Sequence, residues 1–183
     1  MADLERVGVA GVSLRDLAAR IGVSKMAPYR HFPDRESLLA ALISIGWVRL
    51  AEDLTAATSI PGDPVGALKA MGRAYLNFAM TQPELYRLLF SGDGKGLSGR
   101  EPCSEAGESF GLLSRQIQLC MAAGRRSGED ASSLVLAYWA LVHGIADLAQ
   151  EGLVHPPEGV DKLGFWASLV DVFDGNGGPS GSR

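Results

Sequence analysis

The residues Ser24-Lys25-Met26-Ala27-Pro28-Tyr29-Arg30-His31 follow directly on Gly22-Val23 and crowd hydrogen-bond donors into one short stretch. In a helix, Lys25, Met26 and Ala27 would form the N-terminal end, the end that meets base edges when a helix lies in the major groove. There Lys25 donates either to guanine O6 or N7 or to a phosphate oxygen. Ser13 and Arg15, at the start of the preceding helical segment, suit the DNA backbone, since a helix N-terminus itself attracts phosphate. Each residue also has a plainer use: Tyr29 and Phe32 as core aromatics, Arg30 and Arg35 as solvated surface charges, His31 as a local hydrogen-bonding group. The pattern as a whole points to duplex DNA.

Other chemistry has fewer residues to rest on. Gly94-Lys95-Gly96-Leu97-Ser98-Gly99 satisfies GxGxxG, but the dinucleotide fingerprint needs a strand before it and a helix opening within it. Here the helical LYRLLF precedes and the proline-containing REPC follows. His31, His143 and His155 have no metal-ligand spacing, and no nucleophile, base and acid stand together, so no catalytic site, metal or cofactor is expected. Cys103 and Cys120 read as two free thiols of a reducing compartment, too few for a disulfide framework.

The elements that must position the donors are helical. Leu14, Leu17, Ala18 and Ile21 recur at i, i+3, i+4 and i+7; Ser13 caps this segment, Asp16 reciprocates three residues later, and Gly22 ends it. Ser24 caps a second helix, Lys25–Phe32, which Pro33 breaks. Asp34 caps a third, whose apolar stripe runs through Leu38, Leu39, Leu42 and Ile45 toward Leu50 and Leu54. Small Ala18 lets the first two helices approach, and Val23 fills the angle between them. Turn residues over 58–64 end the third helix. Further helices are expected over 64–80, 83–90, 104–123, 129–151 and 160–173, with a glycine-rich mobile loop over 91–102. No alternating strand pattern occurs, and the class is all-α.

Two short helices joined by Gly-Val-Ser form a helix-turn-helix, and LAxxxGVSxxxxYRHFPxxxxLL resembles the TetR family of repressors. PELYRLLFS (83–91) and YWALVHG (138–144) resemble the TetR subgroup whose C-terminal domain is marked by Trp, His and Gly, here Trp139, His143 and Gly144. The resemblance implies a symmetric dimer that releases its operator when a small ligand binds the body. It also implies that Ser24, Tyr29, His31 and Arg35 touch the DNA backbone. Pro28 stands where the family places an apolar helix former; at the fourth helical position it removes the first internal hydrogen bond, and a local adjustment rather than a lost helix is expected. In the family a full helix precedes the motif. Here Leu4–Gly8 resembles only its last turn, which would leave core surface of the module exposed and suggests a misassigned start codon.

The expected organisation is a helix-turn-helix domain over 1–46, a helical ligand-binding and dimerisation domain over 47–174 and a disordered tail over 175–183. The 183-residue chain has a net charge of −4, but residues 1–50 hold seven Lys/Arg against five Asp/Glu and the remainder ten against sixteen. A mildly basic head on an acidic body fits local phosphate contact. The segment 129–151 is apolar almost all round and must be covered on more than one side. With the last helix (Phe165, Trp166, Leu169, Val170 and Phe173) it can form a four-helix interface between two subunits. Trp47, Met71, Tyr75, Phe78, Phe90, Phe110, Met121, Trp139 and His143 are candidates to line a pocket, which would suit an apolar or aromatic effector. No signal peptide is visible, and the run Leu134–Val142 is short of the ~20 residues of a membrane span, so the chain is read as cytoplasmic. The alternatives are a degenerate relative that binds ligand or protein without DNA and, less favoured, a small helical enzyme.

Overall fold

The computed structural model describes residues 1–58, 62–90, 104–126 and 128–171. The glycine-rich stretch 91–102, with its GxGxxG, and the tail 175–183 lie outside the described residues. Among those described there are eight α-helices and no strand: α1 (Ala2–Gly11), α2 (Leu14–Arg20), α3 (Arg35–Ala57), α4 (Pro64–Thr81), α5 (Pro83–Phe90), α6 (Ser104–Ala122), α7 (Ala131–Gln150) and α8 (Lys162–Val170). The chain is all-α, as its periodicity predicts. It divides into two compact units, Met1–Leu50 with Gln82–Glu108, and Ala51–Thr81 with Ser109–Arg183.

In the first unit α2 begins where Ser13 Oγ accepts from Asp16 N at 3.4 Å. It ends at Gly22, whose φ of 72° disfavours an L side chain. Val23 N reaches back to Ala18 O at 3.0 Å, the bond that closes such a helix end. Ala18 is fully buried, as the close approach of the two elements requires, whereas Val23 is 43% exposed and does not fill the angle between them. Asp34 opens α3: its Oδ1 accepts from Ser37 N at 2.8 Å, and Ser37 Oγ accepts in return from Asp34 N at 3.3 Å. The Ser37 N–H first, and the Ser37 hydroxyl next, hold the Asp34 carboxyl below its ordinary range.

Two expectations need correction here. Lys25–Phe32 is not an α-helix: residues 25–27 form a turn, and one 3₁₀ turn, Pro28–Arg30, follows. Proline has no N–H to reach Ser24 O, so that carbonyl accepts instead from Ala27 N at 2.9 Å; Ala27 O accepts from Arg30 N at 3.2 Å, also at the tighter i+3 spacing, and i+4 spacing returns where Phe32 N reaches Pro28 O at 2.9 Å. The segment before α2, expected to hold only a last turn, is helical from Ala2 to Gly11, with a break at Gly8 (φ 70°, ψ 170°). Leu4 of that helix is 1% exposed, because α1 packs on α5.

The second unit is built on α4, which packs against α7 and α8. Gly72 lets α7 and α8 come close: a Cβ there would stand 2.6 Å from the Tyr138 hydroxyl and 2.9 Å from Val170 Cγ1. Tyr138 donates that hydroxyl to Leu68 O at 2.7 Å, and Gln150 Nε2 donates to Ala79 O at 2.9 Å. Buried polar atoms thereby find main-chain partners, as a dry core demands. Asp130 and Asp161 cap α7 and α8 through Ser133 N (2.8 Å) and Gly164 N (2.7 Å). α7 is also long and apolar enough to cross a membrane by length and composition, as core helices of globular proteins often are, and about a third of it is buried inside the chain.

Candidate nucleic-acid interface

The motif's polar side chains stand in solvent. Arg15, Ser24, Lys25, Tyr29, Arg30 and His31 are all exposed, and no hydrogen bond or ion pair within the described chain engages their side chains. Met26 is 69% exposed and Tyr29 43%. Ala27 is half-buried, and Pro28 is buried beneath them. The 3₁₀ turn packs on α2, so the exposed residues stand on a fixed support. Free cationic donors beside hydroxyls, on a segment held by main-chain bonds, suit phosphate oxygens and base edges.

Two of the sequence-predicted contacts have internal work. Ser13 is half-buried and caps α2. Arg35 donates from Nε to Val12 O at 3.0 Å and from Nη2 to Val9 O at 2.6 Å, closing the end of α1 onto the start of α3. A guanidinium has five N–H donors, so these bonds use part of its capacity. The sequence holds no local signal for this use, since the accepting carbonyls lie 23 and 26 residues away.

α1 contributes groups that the sequence reading missed. Glu5 Oε2 accepts from Glu84 N at 3.1 Å and Glu5 Oε1 from Leu85 N at 2.9 Å, so its carboxylate caps the first turn of α5. Asp3 pairs with Arg20 at the end of α2 and stands 3.7 Å from Arg6. The visible signal was indirect: Pro83-Glu84 opens a helix with no Ser, Thr, Asp or Asn at its start, so the cap had to come from elsewhere.

The candidate ligand residues fall into separate groups. Trp47 and Phe90 belong to the first unit and meet edge to face at 5.2 Å. In the second unit Met71, Tyr75 and Phe78 of α4 are buried. The Tyr75 hydroxyl and His143 Nδ1 are 3.0 Å apart. Trp139 lies 5.6 Å from the His143 ring and meets Phe110 edge-on at 6.0 Å. His143 Nε2 is 3.6 Å from Asp147 Oδ2, so the histidine is half-buried with a partner on each side. Met121 lines a different recess, with Leu68, Ile117 and Leu134 among its neighbours, which encloses about 30 Å³. That is room for a water molecule, roughly tenfold short of an effector's space. Among the described residues no three His, Cys, Asp or Glu converge on a possible metal position.

A capped helix followed by a 3₁₀ turn with exposed cationic donors, on an otherwise helical chain, suits a DNA-binding regulator. Comparison with known proteins gives the family. Residues 4–42 match the family described as bacterial regulatory proteins, tetR family. Residues 68–173 match the tetracyclin repressor-like, C-terminal domain. A structure of a protein with unknown function from Rhodococcus sp. RHA1 is 33% identical, covers 93% of this chain and 87% of its own, and superposes with a TM-score of 0.76. An uncharacterized HTH-type transcriptional regulator of Mycobacterium tuberculosis is 24% identical over 91% of this chain and 72% of its own length. AibR, solved in complex with isovaleryl coenzyme A and operator DNA, is 17% identical with a TM-score of 0.65, covering 93% of this chain and 91% of that one; at that identity the likeness is one of fold. The chain belongs to the TetR family of transcriptional regulators.

Proposed function

We propose that the protein is a dimeric, cytoplasmic repressor that holds a palindromic operator through Ser24–His31 and leaves it when a small apolar or aromatic ligand binds the second unit. The observation that carries the reading is the set of exposed side chains of Lys25, Tyr29, Arg30 and His31 on the motif, which have no partner among the described residues. Arg15 and Ser24 extend the contact to phosphates, and Met26 and Ala27 face bases. Arg35 adds a contact only through donors not already bonded to Val9 and Val12. AibR, bound to an acyl-coenzyme A and to operator DNA, supports the pairing of effector and operator on this fold. For the effector, the aromatic group Phe110, Trp139, His143 and Tyr75 of the second unit is the favoured lining.

The alternative, a helical module that binds ligand or protein but not DNA, is favoured by one observation: a single 3₁₀ turn stands where a recognition helix is expected. A binding assay against the DNA upstream of the protein's own gene, over a salt series, separates the two. Affinity should fall steeply with salt, because each neutralised phosphate releases counterions with a log–log slope of about −0.9. Lys25→Ala and Tyr29→Ala should each weaken binding by about 1–3 kcal/mol without moving the melting temperature. Binding indifferent to salt and to both substitutions would exclude the repressor.

A further inference from the structure

We infer that each operator half-site is read as guanine next to thymine, Lys25 taking the guanine and Met26 covering the thymine methyl. The inference rests on the proposed DNA-binding role and names what the site selects. From Val23 to Phe32 the segment contains no Asp, Glu, Asn or Gln. The nearby carboxylate of Asp34 already accepts from Ser37 N at 2.8 Å. Adenine is distinguished in the major groove by offering a donor beside an acceptor, which a carboxamide matches; cytosine offers only its amino donor, which needs an acceptor. The segment holds no carboxamide and no carboxylate, and its remaining acceptors, the Ser24 and Tyr29 hydroxyls and the His31 ring, are groups that the family resemblance places on the DNA backbone.

What it offers toward the bases is donor-only charge and apolar surface. Lys25 and Arg30 are exposed, have no partner among the described residues, and carry donors alone. Guanine answers with two acceptors, O6 and N7, on one edge. Met26 is 69% exposed, and Val23 (43%) and Ile21 (61%), shortly before it in the chain, are exposed as well. Three exposed apolar side chains within six residues gain little from water, and the thymine 5-methyl is the apolar group that the major groove presents. The flexible thioether of methionine can follow the position of that methyl. Ser24 and Tyr29, whose hydroxyls both donate and accept, remain for phosphates.

The test is selection of duplexes from a randomised library by the full chain, followed by base-analogue substitution in the selected site. Half-sites with an adjacent guanine and thymine are expected. Replacing that thymine by deoxyuridine, which removes only the methyl, should weaken binding roughly fourfold, the worth of burying one such group. The loss should vanish in Met26→Ala, whose exposed position leaves folding untouched. Replacing the guanine by 7-deazaguanine should weaken the native protein and leave Lys25→Ala unaffected. A selected site dominated by adenine and cytosine at the contacted positions, or affinity indifferent to both analogues, overturns the inference while salt-dependent binding keeps the regulator reading. Failure to bind any duplex in a salt-dependent way overturns both.

Discussion

Single residues hold the first unit together in ways that can be measured. The Glu5 carboxylate takes the free N–H groups of Glu84 and Leu85, two of the donors that every helix leaves unpaired at its start. Removing it by Glu5→Ala leaves those donors without a charged acceptor in a partly buried place, and should cost about 1.5–3 kcal/mol in urea unfolding. Glu5→Gln keeps one acceptor oxygen and should recover a good part of that. A change under about 0.5 kcal/mol for the alanine variant would mean that water replaces the carboxylate at no loss. Asp34 and Asp130 are a second case. Both carboxyls lie below the ordinary value of 3.8, first through the N–H of Ser37 and of Ser133, then through those serines' hydroxyls. A folded value below the unfolded one contributes stability that is present above the unfolded value and is lost as pH falls through the folded one. The double variant Asp34→Asn, Asp130→Asn keeps a capping oxygen but no titration. Its stability should therefore decline less than the native chain's between about pH 5 and pH 2.5; equal declines would assign the acid limb to other groups.

At the scale of elements, Pro28 decides the form of the DNA-facing segment. Ser24 O is held by Ala27 N at 2.9 Å because residue 28 has no N–H to offer. Proline in a helix interior is about 3 kcal/mol less favourable than alanine. Pro28→Leu should therefore convert residues 25–32 to α-helix, visible as helical carbon chemical shifts over that stretch; unchanged turn-like shifts would show that packing on α2, not the proline, sets the geometry. This segment also marks how far the sequence can be read. Ser13, Gly22, Asp34 and Asp130 act on neighbours within five residues, so the ends of α2 and the starts of α3 and α7 are visible in the chain itself. Pro28 is visible as a disturbance, but its extent depends on whether Lys25–Ala27 can recover i+4 bonds, which no local pattern states. Arg35 and Glu5 are opaque for a different reason. Their partners are main-chain groups far along the chain, and an exposed-looking charge gives no sign of which carbonyl or N–H it will meet. The donors of Ser24–His31 were legible as a set, since short spacing on one segment survives even when the helix tightens to 3₁₀.

At the scale of the whole molecule, the question is what covers α7. Leu136 is 56% exposed and Leu148 42%, and Ala137 and Ala140 between them are exposed as well. These four lie on a helix of 20 residues whose opposite face, with Leu134, Val135, Tyr138 and Val142, is buried. An apolar face of this kind left open in one chain is best covered by the same face of a second copy, since a two-fold axis makes a surface its own complement. The proposed operator reading needs that pairing, because two motifs spaced by about one DNA turn, ~34–36 Å, are what a palindrome presents. Leu136→Glu places a charge within the proposed seam while remaining compatible with the folded chain, where the position is 56% exposed. It should halve the mass seen by analytical ultracentrifugation. On a duplex with two half-sites it should lose about 10²-fold in affinity, the share that linkage of two binding modules supplies, and on a single half-site it should lose nothing. A variant that sediments as a dimer and holds the full operator as tightly as the native chain would place the seam elsewhere on the molecule, and α7 would then need another partner for its open face.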